Sequence, residues 1–149
     1  MTATAHAVLG TVIAAKIGNP VLAVPIAITS HFLADVFPHW DTATHHREKS
    51  KKRFLIESLF DVAISFILSY ILIFVLFPQT NLNYAFFIIV VSQLPDWITA
   101  PYVFFKIKIQ PFVGIHKLQK AFNTRLDKPW GIITQVLLLI LVVVLAKVF

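Results

Sequence analysis

The chain has 149 residues, of which 58% are hydrophobic and 13% charged, and its mean hydropathy is +0.80. An average soluble domain is about half apolar and about a quarter charged, so an ordinary soluble domain is excluded, and 14 Phe among long Ile/Leu/Val runs exclude disorder. With no cysteine there is no disulfide, thiolate zinc site or cysteine nucleophile, and the net charge of +6 has to be read from where the Lys and Arg residues fall.

A membrane-crossing helix needs roughly 20 predominantly apolar residues, with a range of about 17–25. Residues 4–17 are apolar but short, and Gly18-Asn19-Pro20 is a turn signal that separates them from residues 20–37. Residues 54–77 and 82–105 are long enough to span although each carries acids, and residues 130–149 are uncharged until Lys147. The prediction is an all-α integral membrane helical bundle with four to five transmembrane helices. It forms one domain over residues 1–149, a helical hairpin followed by three spans, with the first arm a full or a partial crossing. The first fifteen residues hold no Lys or Arg and no persuasive cleavage site follows, so a secretory signal peptide is not expected.

The basic residues set the orientation. Arg47, Lys49, Lys51, Lys52 and Arg53 follow the second segment, and Lys106, Lys108, Lys117, Lys120, Arg125 and Lys128 lie between the fourth and fifth, whereas residues 78–83 have none. Both basic loops are expected in the cytoplasm, as for a protein of the bacterial inner membrane. Trp40 and Trp130 then fall at the cytoplasmic boundary and Tyr84 at the outer one. Topology accounts for the positive charge, so the expected partners are membrane lipids and not nucleic acid.

Four of the seven acids, Asp35, Glu57, Asp61 and Asp96, lie inside apolar segments, as do His6 and His31. An ionised carboxylate at a helix centre costs roughly 2.5–3.5 kcal/mol, so such groups persist where they pair, face water or bind an ion. In the expected topology all of them fall in the half of the bundle next to the basic loops. His31 and Asp35 are four residues apart, on one helix face, and His39 continues the interval although Pro38 ends regular helix near there. Glu57 and Asp61 repeat the spacing, and Leu94-Pro95-Asp96 sets a carboxylate beside a helix-breaking proline. Helical bundles build zinc, iron and manganese sites from imidazoles and carboxylates presented inward in this way. The structural alternative stands beside each residue. His6 by itself reads as interhelical glue, Glu57 as a charge on the first turn of its helix, and His45 and His46 as solvated in the polar loop 41–53. His116 lies on an amphipathic stretch, 114–119, that either rests at the interface or folds back over the site.

An early His in Thr4-Ala5-His6-Ala7, then Ser30-His31-Phe32-Leu33-Ala34-Asp35, then Leu94-Pro95-Asp96, resembles the membrane-bound metal-dependent hydrolase family that includes LexA-regulated bacterial inner-membrane proteins. His6 and His31/Asp35 match that family's early His and its Ser-His-x-x-x-Asp helix. Asp96 matches the first acid of its Pro-Asp-x-Asp element, but Ile98 stands in place of the second, its Thr-His-Ser element is missing, and the order of the elements differs. The chain is also similar to short bacterial membrane proteins that carry the run seen here from Ser30 to Asp41, Ser-His-Phe-x-x-Asp-x-x-Pro-His-x-Asp.

The resemblance and the spacing together imply His6, His31, Asp35 and Asp96 as ligands of a divalent metal ion, zinc first and manganese or iron next, with His39 as a fifth. Asp61 is then the expected general base, and His116 an acid or a contact for substrate phosphate. The expected activity is hydrolysis of a phospholipid-like or other anionic amphiphile. The alternatives are a non-catalytic, lipid-interacting scaffold and, third, an ion or metal transporter, which the scarcity of polar groups beyond Ser65, Ser69 and Gln135 in the outer half disfavours. No clustered glycines, Gly-x-Ser-x-Gly or His-Glu-x-x-His point to another chemistry.

Overall fold

The computed structural model describes residues 1–45 and 48–149, so His46 and Arg47 lie outside the described residues. Those described form six helices and no strand: α1 (Ala3–Lys16), α2 (Pro20–Val36), α3 (Lys51–Leu76), α4 (Leu82–Phe105), α5 (Phe112–Phe122) and α6 (Trp130–Val148). Helices α3, α4 and α6 are long and apolar enough to cross a membrane, and the chain is an integral membrane helical bundle.

Side-chain caps mark where the helices begin. Thr2 accepts a hydrogen bond from Ala5 N, Asn19 from Val21 N, Ser50 from Arg53 N and Asn81 from Tyr84 N, each satisfying a donor with no partner inside its own helix. Pro20 opens α2, where a missing N–H costs nothing. α4 ends at Lys106, whose left-handed backbone (φ 61°) lets its N–H return to Tyr102 O.

The first helix lies at the centre of the bundle. α1 packs on α2, α3, α4 and α6, and every residue from Ala5 to Ala14 is buried. At 1.5 Å per residue its length is about 21 Å, short of a hydrocarbon core of about 30 Å. Small residues allow the enclosure: Ala5, Ala7, Ala23, Ala27 and Ala85 are fully buried, and a methyl group on Gly10 would lie 2.5 Å from Ser92 Oγ and 3.1 Å from Ile89 Cα. Around this core, Phe60, Phe74 and Val75 of α3 and Leu137, Ile140 and Val148 of α6 face outward, as lipid-facing side chains do.

Contacts between distant residues fix the directions. Asp61 of α3 meets Ala3 and Thr4, while at the opposite end Tyr84 OH donates to Ile17 O (2.5 Å) and Lys147 Nζ to Leu76 O (2.9 Å). The end carrying Lys49, Lys51, Lys52 and Arg125, here the basic end, is closed by residues 123–126. Thr124 N donates to Asp35 O (2.9 Å), His39 N to Thr124 O (3.1 Å) and Leu126 N to His39 O (2.7 Å). The amphipathic stretch is α5, which folds back onto α2 and α4.

Candidate metal centre

Three helices bring His6, His31 and Asp96 together at the basic end, with one potential donor atom from each lying within 4.8 Å of the others. The His6 and His31 rings stack with centroids 3.7 Å apart and planes 19° from parallel. His31 Nδ1 donates to Ser92 O (2.8 Å), one turn before Pro95, and this turns Nε2 toward Asp96 and Asp35. That atom lies 3.6 Å from Asp96 Oδ1. Both imidazoles are buried, whereas the Asp96 side chain is 39% exposed, so the group opens on the Asp96 side.

Asp35 is the hub of the surrounding cluster. Its Oδ1 lies 3.4 Å from His6 Nε2 and 3.7 Å from His39 Nε2, and its Oδ2 lies 3.8 Å from His31 Nε2. The α-amino group of Met1 forms an ion pair with the same Oδ1. Beyond the end of α2, His39 Nδ1 donates to Phe37 O (2.7 Å), and its Nε2 faces Asp41 Oδ2 at 3.9 Å. Burial first, and then the positive Met1 amine, hold the His39 imidazole below its usual pKa, so it is neutral at pH 7 with a lone pair to offer. Asp41 in turn accepts from Arg125 Nε (3.0 Å) and Thr44 Oγ1 (2.9 Å).

The decisive feature is what these rings lack. Neither nitrogen of His6, nor His39 Nε2, has a hydrogen-bond partner, although all three atoms are buried. A buried polar group left unpaired costs about 1–3 kcal/mol, and such groups are rare enough in folded proteins to call for a specific reason. Imidazole nitrogens and carboxylate oxygens held this close form a donor set suited to zinc, manganese or iron.

The remaining candidates are placed differently. Asp61 accepts from Ala3 N (2.7 Å), Thr4 N (3.1 Å) and Thr4 Oγ1 (2.6 Å), so its carboxylate caps the first turn of α1. His116 packs against the ring of Tyr102, with centroids 4.8 Å apart. The residue by which α5 enters the site is Gln119, whose amide donates to Asp96 Oδ1 (2.6 Å) and lies 3.2 Å from His31 Nε2. Glu57 pairs with Lys49 (2.6 Å) and Arg53 (2.8 Å) on the surface. His45 is exposed between Asp127 and Glu48.

Sequence reasoning missed Gln119 and Asp41. Position 119 is a polar residue on the apolar face of an amphipathic helix, in line with Phe112, Ile115 and Phe122, and Asp41 ends the Ser30–Asp41 run, and those were the only signals available. Beside the N-terminus of α1 a cavity of about 500 Å³ is lined by Trp40, Lys49, Arg53, Phe60, Asp61 and Lys128, among others. Lys128 Nζ stands 3.9 Å over the Trp40 ring. No known protein family, curated protein or solved structure matches this chain.

Proposed function

We propose that this protein is a membrane-embedded, metal-dependent hydrolase of an anionic amphiphile, with its basic end at the cytoplasmic face of a bacterial inner membrane. The observation that carries the reading is the buried His6–His31–Asp96 group, in which His6 has no hydrogen-bond partner on either nitrogen. These three residues would hold the ion, zinc first and manganese or iron next, with Asp35 beside them. A divalent ion supplies Lewis acidity and a water acidic enough to ionise near pH 7.

The chain's own residues prepare the place. Ser92 O holds His31 in the orientation that turns Nε2 inward, and Gln119 restrains Asp96. Asp61 anchors the first turn of α1 by accepting from Ala3 and Thr4. The cavity beside the N-terminus of α1 is lined by Lys49 and Arg53, both paired with Glu57, by Lys128 over Trp40, by Asp61 and by apolar Phe60 and Ile64, and the apolar and cationic parts together support an anionic amphiphile as the substrate. A scaffold without catalysis is the second reading. It draws support from the Met1–Asp35 ion pair and the Asp61 cap, which tie helices together with no ion.

Elemental analysis of detergent-purified wild type, His6→Gln and Asp96→Asn, each verified as helical by circular dichroism, separates the two. At least one zinc, manganese or iron per wild-type chain, lost in both variants, is expected. So is turnover of a chromogenic phosphodiester, or of anionic phospholipid in mixed micelles, by wild type alone. Absence of metal after reloading overturns the proposal and leaves the scaffold. Bound metal without turnover of any ester reduces it to a metal-binding scaffold.

A further inference from the structure

We infer that residues 105–122, comprising the end of α4, the turn after it and α5, form a docking site for anionic phospholipid head groups of the leaflet at the basic end. The inference stands apart from the metal-binding reading of the centre.

Charge is the first observation. Residues 97–126 contain no acid, yet they carry Lys106, Lys108, Lys117, Lys120 and Arg125. Several other cations at this end are neutralised within the protein, Lys49 and Arg53 by Glu57, and Arg125 by Asp41. Lys106, Lys108, Lys117 and Lys120 are instead exposed, and none of them pairs with an acid among the described residues. Unpaired cations gathered on one surface attract anionic lipid, and the attraction acts within a Debye length of the head groups.

The apolar side chains between the lysines select the occupant. Phe105, Ile107 and Ile109 alternate with Lys106 and Lys108 and are 71%, 41% and 57% exposed, and Leu118 beside Lys117 is 47% exposed. A soluble polyanion meets the charge and leaves these side chains in water. A phospholipid meets both, because apolar side chains enter the acyl boundary while lysine stems carry the ammonium groups up to the phosphates. The level also suits a leaflet. α4 is apolar and long enough to span and ends at Phe105, and Phe104 packs on Phe54 near the start of α3, with ring centroids 4.9 Å apart.

α5 completes the surface. Its inner side is occupied by the bundle, where Phe122 meets Phe32 (5.9 Å), His116 meets Tyr102 (4.8 Å) and Gln119 donates to Asp96 Oδ1 (2.6 Å). Lys117, two residues before Gln119, faces away from that side. A head group held by Lys117 therefore lies about one helix diameter, about 10–12 Å, from the Asp96 side on which the centre opens.

The test reads depth and lipid preference. The chain has no cysteine, so a single introduced one can be spin-labelled without background. Labels at Ile107→Cys and Ile109→Cys, in nanodiscs containing phosphatidylglycerol, are expected to be relaxed more by oxygen than by a water-soluble nickel chelate. Native mass spectrometry of wild type taken from equal phosphatidylglycerol and phosphatidylcholine is expected to show the anionic lipid retained in about fivefold excess, the worth of one lysine at the head groups. Replacing Lys106, Lys108, Lys117 and Lys120 together with Gln, in a variant verified as helical by circular dichroism, should bring that ratio close to one. Lys51→Gln combined with Lys52→Gln should leave it unchanged. Labels relaxed mainly by the nickel chelate overturn the inference and leave the surface to a soluble acidic partner. Equal retention of the two lipids by wild type overturns it, as does a preference that survives the fourfold replacement. An equal loss in the Lys51 and Lys52 variant overturns it too, because the basic end then acts only through its summed charge. None of these readouts involves metal or turnover, so failure here is distinct from failure of the proposed function.

Discussion

His6 and Asp61 are both polar residues within apolar sequence, yet the structure gives them opposite conditions. Asp61 is satisfied, accepting three hydrogen bonds from Ala3 and Thr4, where the dipole of α1 also favours a negative charge. His6 is buried one turn further along, and neither ring nitrogen completes a hydrogen bond, its nearest carboxylate oxygen being Asp35 Oδ1 at 3.4 Å. Replacing Asp61 with Ala is therefore expected to cost about 1–2 kcal/mol of stability, as loss of a helix cap does, while metal content stays at the wild-type level. Thermal unfolding in detergent beside elemental analysis checks both halves, and a general base would instead lose turnover with stability unchanged. The burial of Asp61 was legible in the sequence as depth along a helix. Its partner was not, because a backbone N–H of another helix leaves no mark on residue type. Likewise the spacing of His31 and Asp35 put both on one face, but nothing in the sequence tied Asp41 to a partner, since the arginine that holds it comes 84 positions later.

Among the elements, α1 and α4 share the most extensive packing, and Gly10 permits it. Ser92 Oγ, Ser92 Cβ and Ile89 Cα would stand 2.5, 2.9 and 3.1 Å from a methyl group at that position. Gly10→Ala should destabilise the bundle by about 1–3 kcal/mol, the usual cost of overpacking. It should also weaken metal binding, because His6 lies one turn away on α1 and His31 hangs from Ser92 O on α4. Adding Ser92→Gly should restore part of the melting temperature, leaving only the Ile89 contact, and parallel melts of the single and double variants measure this. The sequence showed α1 as an apolar helix too short to span, and α5 as an amphipathic stretch able to fold back. It did not show that α1 is the centre of the bundle, because an apolar helix looks the same whether lipid or protein surrounds it. Nor did it show which side chain of α5 reaches the site, since His116 and Gln119 differ by less than one turn.

At the scale of the molecule, the basic end is fastened by long-range pairs outside the apolar helices. His45 Nε2 lies 2.7 Å from Asp127 Oδ1, joining the loop after α2 to the approach to α6. The Asp127 carboxylate, and after it Glu48, raises the His45 pKa above its ordinary value. Since the folded value is the higher one, the stabilisation from this pair is fully present below the unfolded value of about 6.5 and is lost as pH rises through the raised value. Histidine-labelled NMR titration is expected to show His45 titrating above that reference, and Asp127→Asn to bring it down. The helices at this end also differ in length. α2 exposes Val21, Leu22, Ile26, Leu33 and Val36, yet its 17 residues measure only about 26 Å, while the apolar part of α3, residues 54–76, measures about 35 Å. A bilayer that meets unequal hydrophobic belts on two flanks of one protein is matched by tilt of the longer helix or by thinning along the shorter, at fractions of a kcal/mol per ångström of mismatch. Thinning would pinch the leaflet beside α2 and bring lipid head groups toward the helix that carries His31 and Asp35 with no movement of the protein.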